Sequence, residues 1–182
     1  SIDLEVGRKD GRIHRFAAIR GDTGETFVYP GGDIGAALRR LDELAAGAAF
    51  LLGHNLTRFD RAYLAAVAPS LELLKLPDVD TLWLSPLAFP RNPYHHLVKH
   101  YQDAALTRGQ LNDPHLDAER ALQLFGDEHR ALTAAAQSTP DLVAAWHWLT
   151  TRDGITGGTN AFFTTVRGQS RPEDEPALTA IG

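Results

Sequence analysis

The chain contains no cysteine and no methionine. Without cysteine it has no disulfide framework, no thiolate zinc site and no cysteine nucleophile. No apolar run approaches the roughly 20 residues that a membrane-spanning helix needs. The first residues are not a basic start followed by an apolar run, so no secretory signal is expected and a cytoplasmic location is. The chain is also short of basic residues, with 18 Lys and Arg against 23 Asp and Glu and a formal net charge of -5. That balance argues against tight nonspecific duplex binding, although bound cations can invert the local field of an acidic site. What is present is ordinary for a soluble globular domain: 43% hydrophobic and 23% charged residues over 182 positions, enough for one sizeable core. The lack of Met, and a start at Ser1-Ile2-Asp3 almost directly in a strand, predict a domain cut from a longer polypeptide. Residues 1–168 read as that domain, and 169–182, with the run Arg171 to Pro176, as a linker or tail.

Four carboxylates stand out in three short segments. The first is Ile2-Asp3-Leu4-Glu5-Val6, where Asp3 and Glu5 alternate with apolar residues and would share one face of a strand. The second, Leu51 to Asp60, runs from a buried-looking apolar stretch through Gly53-His54-Asn55 to Phe59-Asp60, where a helical pattern opens. The third is Asn112-Asp113-Pro114-His115-Leu116-Asp117, with Asp117 in the first turn of a helix begun by Pro114. Hard divalent cations take oxygen ligands, and a pair of them needs several carboxylates. Taken singly, each carboxylate is as well explained as a solvated strand residue or a helix cap. It is their order and company that point to phosphodiester chemistry.

The three segments resemble the exonuclease motifs of the DEDD superfamily of 3′→5′ exonucleases. Asp3-Leu4-Glu5 is similar to the first motif, Gly53 to Asp60 with its His-Asn and Phe-Asp pairs to the second, and Asp117-Ala118 to the end of the third. Asp80-Thr81-Leu82 resembles a stretch found between the second and third motifs of the histidine-type branch. The resemblance covers residues 1 to about 130. It implies an α/β fold, a ribonuclease H-like mixed five-stranded sheet flanked by helices, with the first strand central. It also implies two Mg²⁺ or Mn²⁺ ions held by Asp3, Glu5, Asp60 and Asp117. Asp3 would bridge both ions. Leu4 and Val6 would flank the terminal nucleotide, and His54, Asn55 and Phe59 would line the substrate side.

The chain departs from that pattern at one position. The histidine-type branch has a His five residues before its last Asp, where this chain has Asn112; the tyrosine-type branch has a Tyr four before, where this chain has Asp113. An Asn can orient a water but cannot take its proton near neutral pH. His115, two residues before Asp117, is the nearest titratable alternative, and the identity of the general base stays open.

The remaining pattern predicts strands over 2–6, 12–19, 25–29 and 49–53. Helices are expected over about 33–46, 60–67 after a loop begun by Asn55, 80–87, 114–125, 128–137 and 140–151, with a short last segment over 160–166. Gly31-Gly32 and Gly157-Gly158 read as turns, and Trp146 and Trp148 as packing among the last helices. His95, His96 and His100 suggest zinc at first sight, but His96 and His100, four apart, have no third ligand at a recognisable spacing. Arg58, Arg61, Arg91 and Lys99 could follow a phosphate backbone, but scattered surface charge is the default reading. The expectation is a metal-dependent exonuclease releasing nucleotides from single-stranded DNA ends, with a helicase-like module as a fused or associated partner. Two alternatives stay open: a ribonuclease trimming short RNA, and a catalytically degenerate nucleic-acid-binding module.

Overall fold

The structure, a computed structural model, describes residues 1–97, 113–151 and 157–173. The chain opens with an antiparallel meander of three strands: β1 (Ile2–Val6), β2 (Ile13–Ile19) and β3 (Thr26–Tyr29). Gly11 and Gly24 sit in its two turns with φ of +65° and +74°, a region glycine enters without the steric cost other residues meet. Helix α1 (Ile34–Ala45) follows. The Asp33 side chain caps its start by accepting a hydrogen bond from the Ala36 amide at 3.1 Å. Leu38, Leu41 and Leu44 recur at helical spacing and are buried. At the other end the Arg20 guanidinium donates to the carbonyls of Leu44 and Ala46, two of the acceptors a helix end leaves over.

A second, parallel pair then forms from β4 (Leu51–Gly53) and β5 (Asp78–Asp80), connected through α2 (Asp60–Val67) and a 3-10 turn at Glu72–Lys75. All three residues of β4 are buried, and successive ones face opposite ways. Leu51 packs into the core beneath the meander, while Leu52 packs into a second core among the later helices. Those helices are α3 (Thr81–Ala88), α4 (Pro114–Ser138), α5 (Pro140–Thr150) and α6 (Gly157–Arg167). Helix α4 is the spine of the second half. It runs unbroken through residues 126 and 127, where the sequence predicts two shorter helices, and it packs on β1, β2, α3, α5 and α6. Among the described residues no helix is long and apolar enough to cross a membrane.

The expectation of one mixed five-stranded ribonuclease H-like sheet is not met. The strands form a three-stranded antiparallel sheet in the order β1-β2-β3 and a separate parallel pair, and β1 lies at an edge rather than at the centre. The reason lies in the backbone groups on the open side of β1. Ser1 and Ile19 exchange hydrogen bonds in both directions, so the antiparallel alternation turns the Leu4 N–H away from β2. There it donates to a side chain, Asp60 Oδ1 at 2.9 Å, and not to a neighbouring strand. Strand β4 does approach β1, closely enough that a Cβ on Gly53 would stand 3.0 Å from the Ile2 carbonyl oxygen, but no ladder joins them. Two further readings are corrected. Asp78–Asp80 is a strand, which the sequence pattern does not predict, and Gly157-Gly158 is the first turn of α6 rather than a loop turn.

Candidate acidic site

The open edge of β1 brings together the first two acidic segments. Asp60 begins α2 and is 2% exposed. Its Oδ1 accepts from the amide of Leu4, the residue between Asp3 and Glu5. Burial, reinforced by the neighbouring Asp3 carboxylate, pushes the Asp60 carboxyl well above the usual carboxylate range; the Leu4 hydrogen bond works against that rise. Asp3 and Asp60 are thus two carboxylates within electrostatic reach of each other, one of them almost wholly removed from water.

Glu5 lies directly across from Arg15 in the β1–β2 register, and the two form an ion pair at 2.9 Å. Asp117 occupies the first turn of α4, where the helix dipole favours a negative charge. That helix start is well specified: Asp113 caps it by accepting from the His115 amide at 3.0 Å, Pro114 takes the position where no N–H is needed, and the Ser1 hydroxyl donates to the Ala118 carbonyl at 2.7 Å, holding the turn against β1. Asp117 itself pairs with Arg120 at 3.1 Å, both side chains being largely buried. Asp3 and Asp60 are therefore brought together, while Glu5 and Asp117 each hold an arginine. Among the described residues no three His, Asp or Glu side chains are gathered closely enough to hold a metal ion. The donor set suits a hard cation in kind, since all four groups are carboxylates.

The loop between β4 and α2 is organised by Asp80, the last residue of β5. Its Oδ1 accepts from the amides of Asn55 (2.8 Å) and Leu82 (3.0 Å), and its Oδ2 from the amide of Thr57 (3.0 Å). One buried carboxylate thus clamps the 54–57 loop to the start of α3. Within the loop, Asn55 adopts φ +65°, a left-handed conformation that Asn tolerates better than most residues. His54 Nδ1 lies 2.9 Å from Thr81 Oγ1, while its Nε2 is buried without a hydrogen-bond partner. Burial lowers the His54 pKa, partly offset by the nearby Asp80 and Asp117 carboxylates. Phe59 is half-buried, edge-on to Tyr63 with ring centroids 4.9 Å apart. Leu4 is buried in the core beneath the meander and Val6 packs at its margin. His115 is half-buried, two residues from Asp117. Asn112, His100 and Lys99 lie outside the described residues.

Of the basic residues, Arg61 is committed to structure: it pairs with Asp78 at 2.6 Å and donates to the carbonyls of Leu74 and Leu76. Arg58 instead lies over the ring of Trp83, 5.3 Å from its centroid. Trp146 packs at the edge of the second core, and Trp148 lies beneath the Arg171 guanidinium, 5.7 Å from it. A cavity of about 380 Å³ lies elsewhere, lined by Leu41, Leu44, Leu52, Leu73 and Phe125 among others; none of Asp3, Glu5, Asp60 or Asp117 lines it. Two residues with notable environments escape the sequence reading, Trp83 as an exposed ring and Glu128 as a wholly buried acid on α4, and the sequence singles out Asp80 without its role as a loop clamp. Asp80 had a signal, its Asp-Thr-Leu context; Glu128 had none. In comparisons with known proteins, no family model, no curated protein and no solved structure matches the chain significantly.

Proposed function

We propose that this chain is a metal-dependent 3′→5′ exonuclease domain acting on single-stranded DNA ends, as the resemblance of its three acidic segments implies. The observation that carries the reading is the meeting of Asp3 and Asp60 at the open edge of β1. A carboxyl buried beside a second carboxylate is costly to ionise unless a cation joins it. Asp3 and Asp60 would hold the first Mg²⁺ or Mn²⁺. Glu5 and Asp117 would join it by exchanging Arg15 and Arg120 for the ion. A cation held there would supply Lewis-acid activation and charge neutralisation at the phosphate. The chain's own part is to position: the Leu4 amide orients Asp60, the first turn of α4 holds Asp117, and Asp80 fixes the loop leading into Asp60. His115 is the titratable group at hand beside Asp117.

A second reading has its own support. Glu5 and Asp117 are satisfied by arginine, as they would be in a nucleic-acid-binding module that no longer cleaves. One experiment separates the readings. End-labelled single-stranded DNA and RNA are incubated with Mg²⁺ or Mn²⁺ and the wild-type chain or Asp3→Ala. A ladder shortening from the 3′ end, lost in Asp3→Ala, is the expected result, and the preferred strand identifies DNA or RNA as substrate. No product with either metal would leave the binding module as the reading.

A further inference from the structure

We propose that Arg58 and Trp83 form a stacking platform for a nucleobase of a single strand; this rests on the nucleic-acid reading above and adds to it the place where the strand is gripped. Trp83 is 49% exposed, unusual for the largest apolar side chain when it stands in the first turn of a helix whose other face is buried. The Arg58 guanidinium lies 5.3 Å from its ring centroid, and among the described residues Arg58 forms no ion pair. A cation held over an indole and left without an anion is a ready partner for a phosphate, while the rest of the ring remains open to a flat, apolar partner. A nucleotide offers both features in one residue. The negative charge of the chain as a whole makes an uncompensated arginine at this place more pointed.

The platform is preformed. Arg58 follows Thr57, whose amide is held by Asp80 Oδ2, and Trp83 follows Leu82, whose amide is held by Asp80 Oδ1. The same buried carboxylate thus anchors the backbone that carries both halves, so little backbone ordering is left to lose when a base arrives. Arg58 is also two residues before Asp60, which places the platform on the loop that leads directly into the acidic edge of β1. Stacking on an aromatic ring is tolerant of base identity, so the grip would fall on single strands of any sequence.

The test is binding of a fluorescein-labelled single-stranded DNA of about ten nucleotides, within the usual site size of such grooves, followed by anisotropy in Ca²⁺. It compares the wild-type chain, Trp83→Ala, Trp83→Phe and Arg58→Ala, and a strand carrying abasic positions. Loss of one stacked base is expected to weaken binding about tenfold or more in Trp83→Ala, with Trp83→Phe restoring most of it. The abasic strand should bind the wild-type chain as poorly as the intact strand binds Trp83→Ala. Wild-type affinity in Trp83→Ala, equal affinity for intact and abasic strands, or no binding by the wild-type chain would each overturn the platform. Hydrolysis of the p-nitrophenyl ester of thymidine 5′-phosphate by the wild-type chain with Mn²⁺ reports the acidic site separately. Base-dependent strand binding without that hydrolysis supports the platform and overturns the exonuclease reading.

Discussion

The amide of Leu4 and the carboxylate of Asp60, 56 residues apart in the chain, meet at 2.9 Å across the open edge of β1. The bond does two things at once. It satisfies a backbone donor that a neighbouring strand would otherwise have to meet, and it points Asp60 at the strand carrying Asp3 and Glu5. Structure and proposed chemistry therefore share one side chain, and substitutions can pull them apart.

Asp60→Asn keeps an acceptor for the Leu4 amide and removes the charge. It is expected to fold with near wild-type stability and to lose about 10²-fold or more of any cleavage, the scale on which weakened metal ligation or orientation acts. Asp60→Ala also strands the buried Leu4 N–H, which costs about 1–3 kcal/mol. Chemical denaturation of the two variants beside a cleavage assay checks both statements; equal stability of Asn and Ala variants would show that the bond contributes nothing to the fold.

Asp80 holds the amides of Asn55, Thr57 and Leu82. Hydrogen bonds to a charged group are worth about 1.5–3 kcal/mol each, and they are not additive within one cluster. Asp80→Ala is thus expected to cost about 3 kcal/mol or more. Hydrogen exchange at those three amides should accelerate ahead of the β1–β2 ladder, because the loop and α3 lose their common anchor while the meander does not. Uniform loss of protection throughout the chain would mean that Asp80 supports the whole fold and not this loop.

Much of the site's placement could be read from residue order. Asp3 and Glu5 on an alternating strand, Asp60 opening a helix and Asp117 in the first turn after Pro114 all stand where their local patterns put them. The sheet was less legible. A strand of three residues, Asp78-Val79-Asp80, has no alternation long enough to distinguish it from a loop, and pairing of β1 with β4 depends on which group claims the Leu4 amide, a tertiary matter. Gly158 shows the same limit. A Gly-Gly pair beside Thr and Asn reads as a turn, yet Gly158 is where α6 touches β5, and a Cβ there would overlap the Asp78 carbonyl oxygen.

That contact makes Gly158→Ala a strong test of the α6–β5 packing. The obstruction is backbone, so the helix must move as a body, and overpacking of this kind typically costs about 1–3 kcal/mol. The neighbouring Gly157→Ala meets only a Pro77 side-chain carbon at 3.4 Å, an ordinary contact. A gain of helix propensity, about 1 kcal/mol at an interior position and less in a first turn, should leave that variant neutral or slightly more stable. Thermal melts of the pair should therefore diverge, and similar melting temperatures would mean that α6 does not rest on β5 as described.

Glu128 gives the pH dependence its sign. It is fully buried on α4, both carboxyl oxygens lack hydrogen-bond partners, and burial, with Asp80 and Asp127 adding to it, pushes its pKa up to about 9 from an ordinary 4.5. The folded chain therefore binds a proton there that the unfolded chain releases above its ordinary pKa. The stability that this carboxyl contributes is fully present below about pH 4.5 and is lost as pH rises toward about 9. One proton of difference corresponds to roughly a tenfold change in the folding equilibrium per pH unit. Asp60, also raised, adds a slope of the same sign near its own titration, so the wild-type curve alone does not isolate Glu128. Glu128→Leu does: a similar volume without the acid should be more stable than wild type, and the gap should widen between pH 5 and pH 8 as urea midpoints are followed. If the two curves run parallel across that range, the carboxyl is already satisfied in solution, and the buried acid of α4 is not the source of the slope.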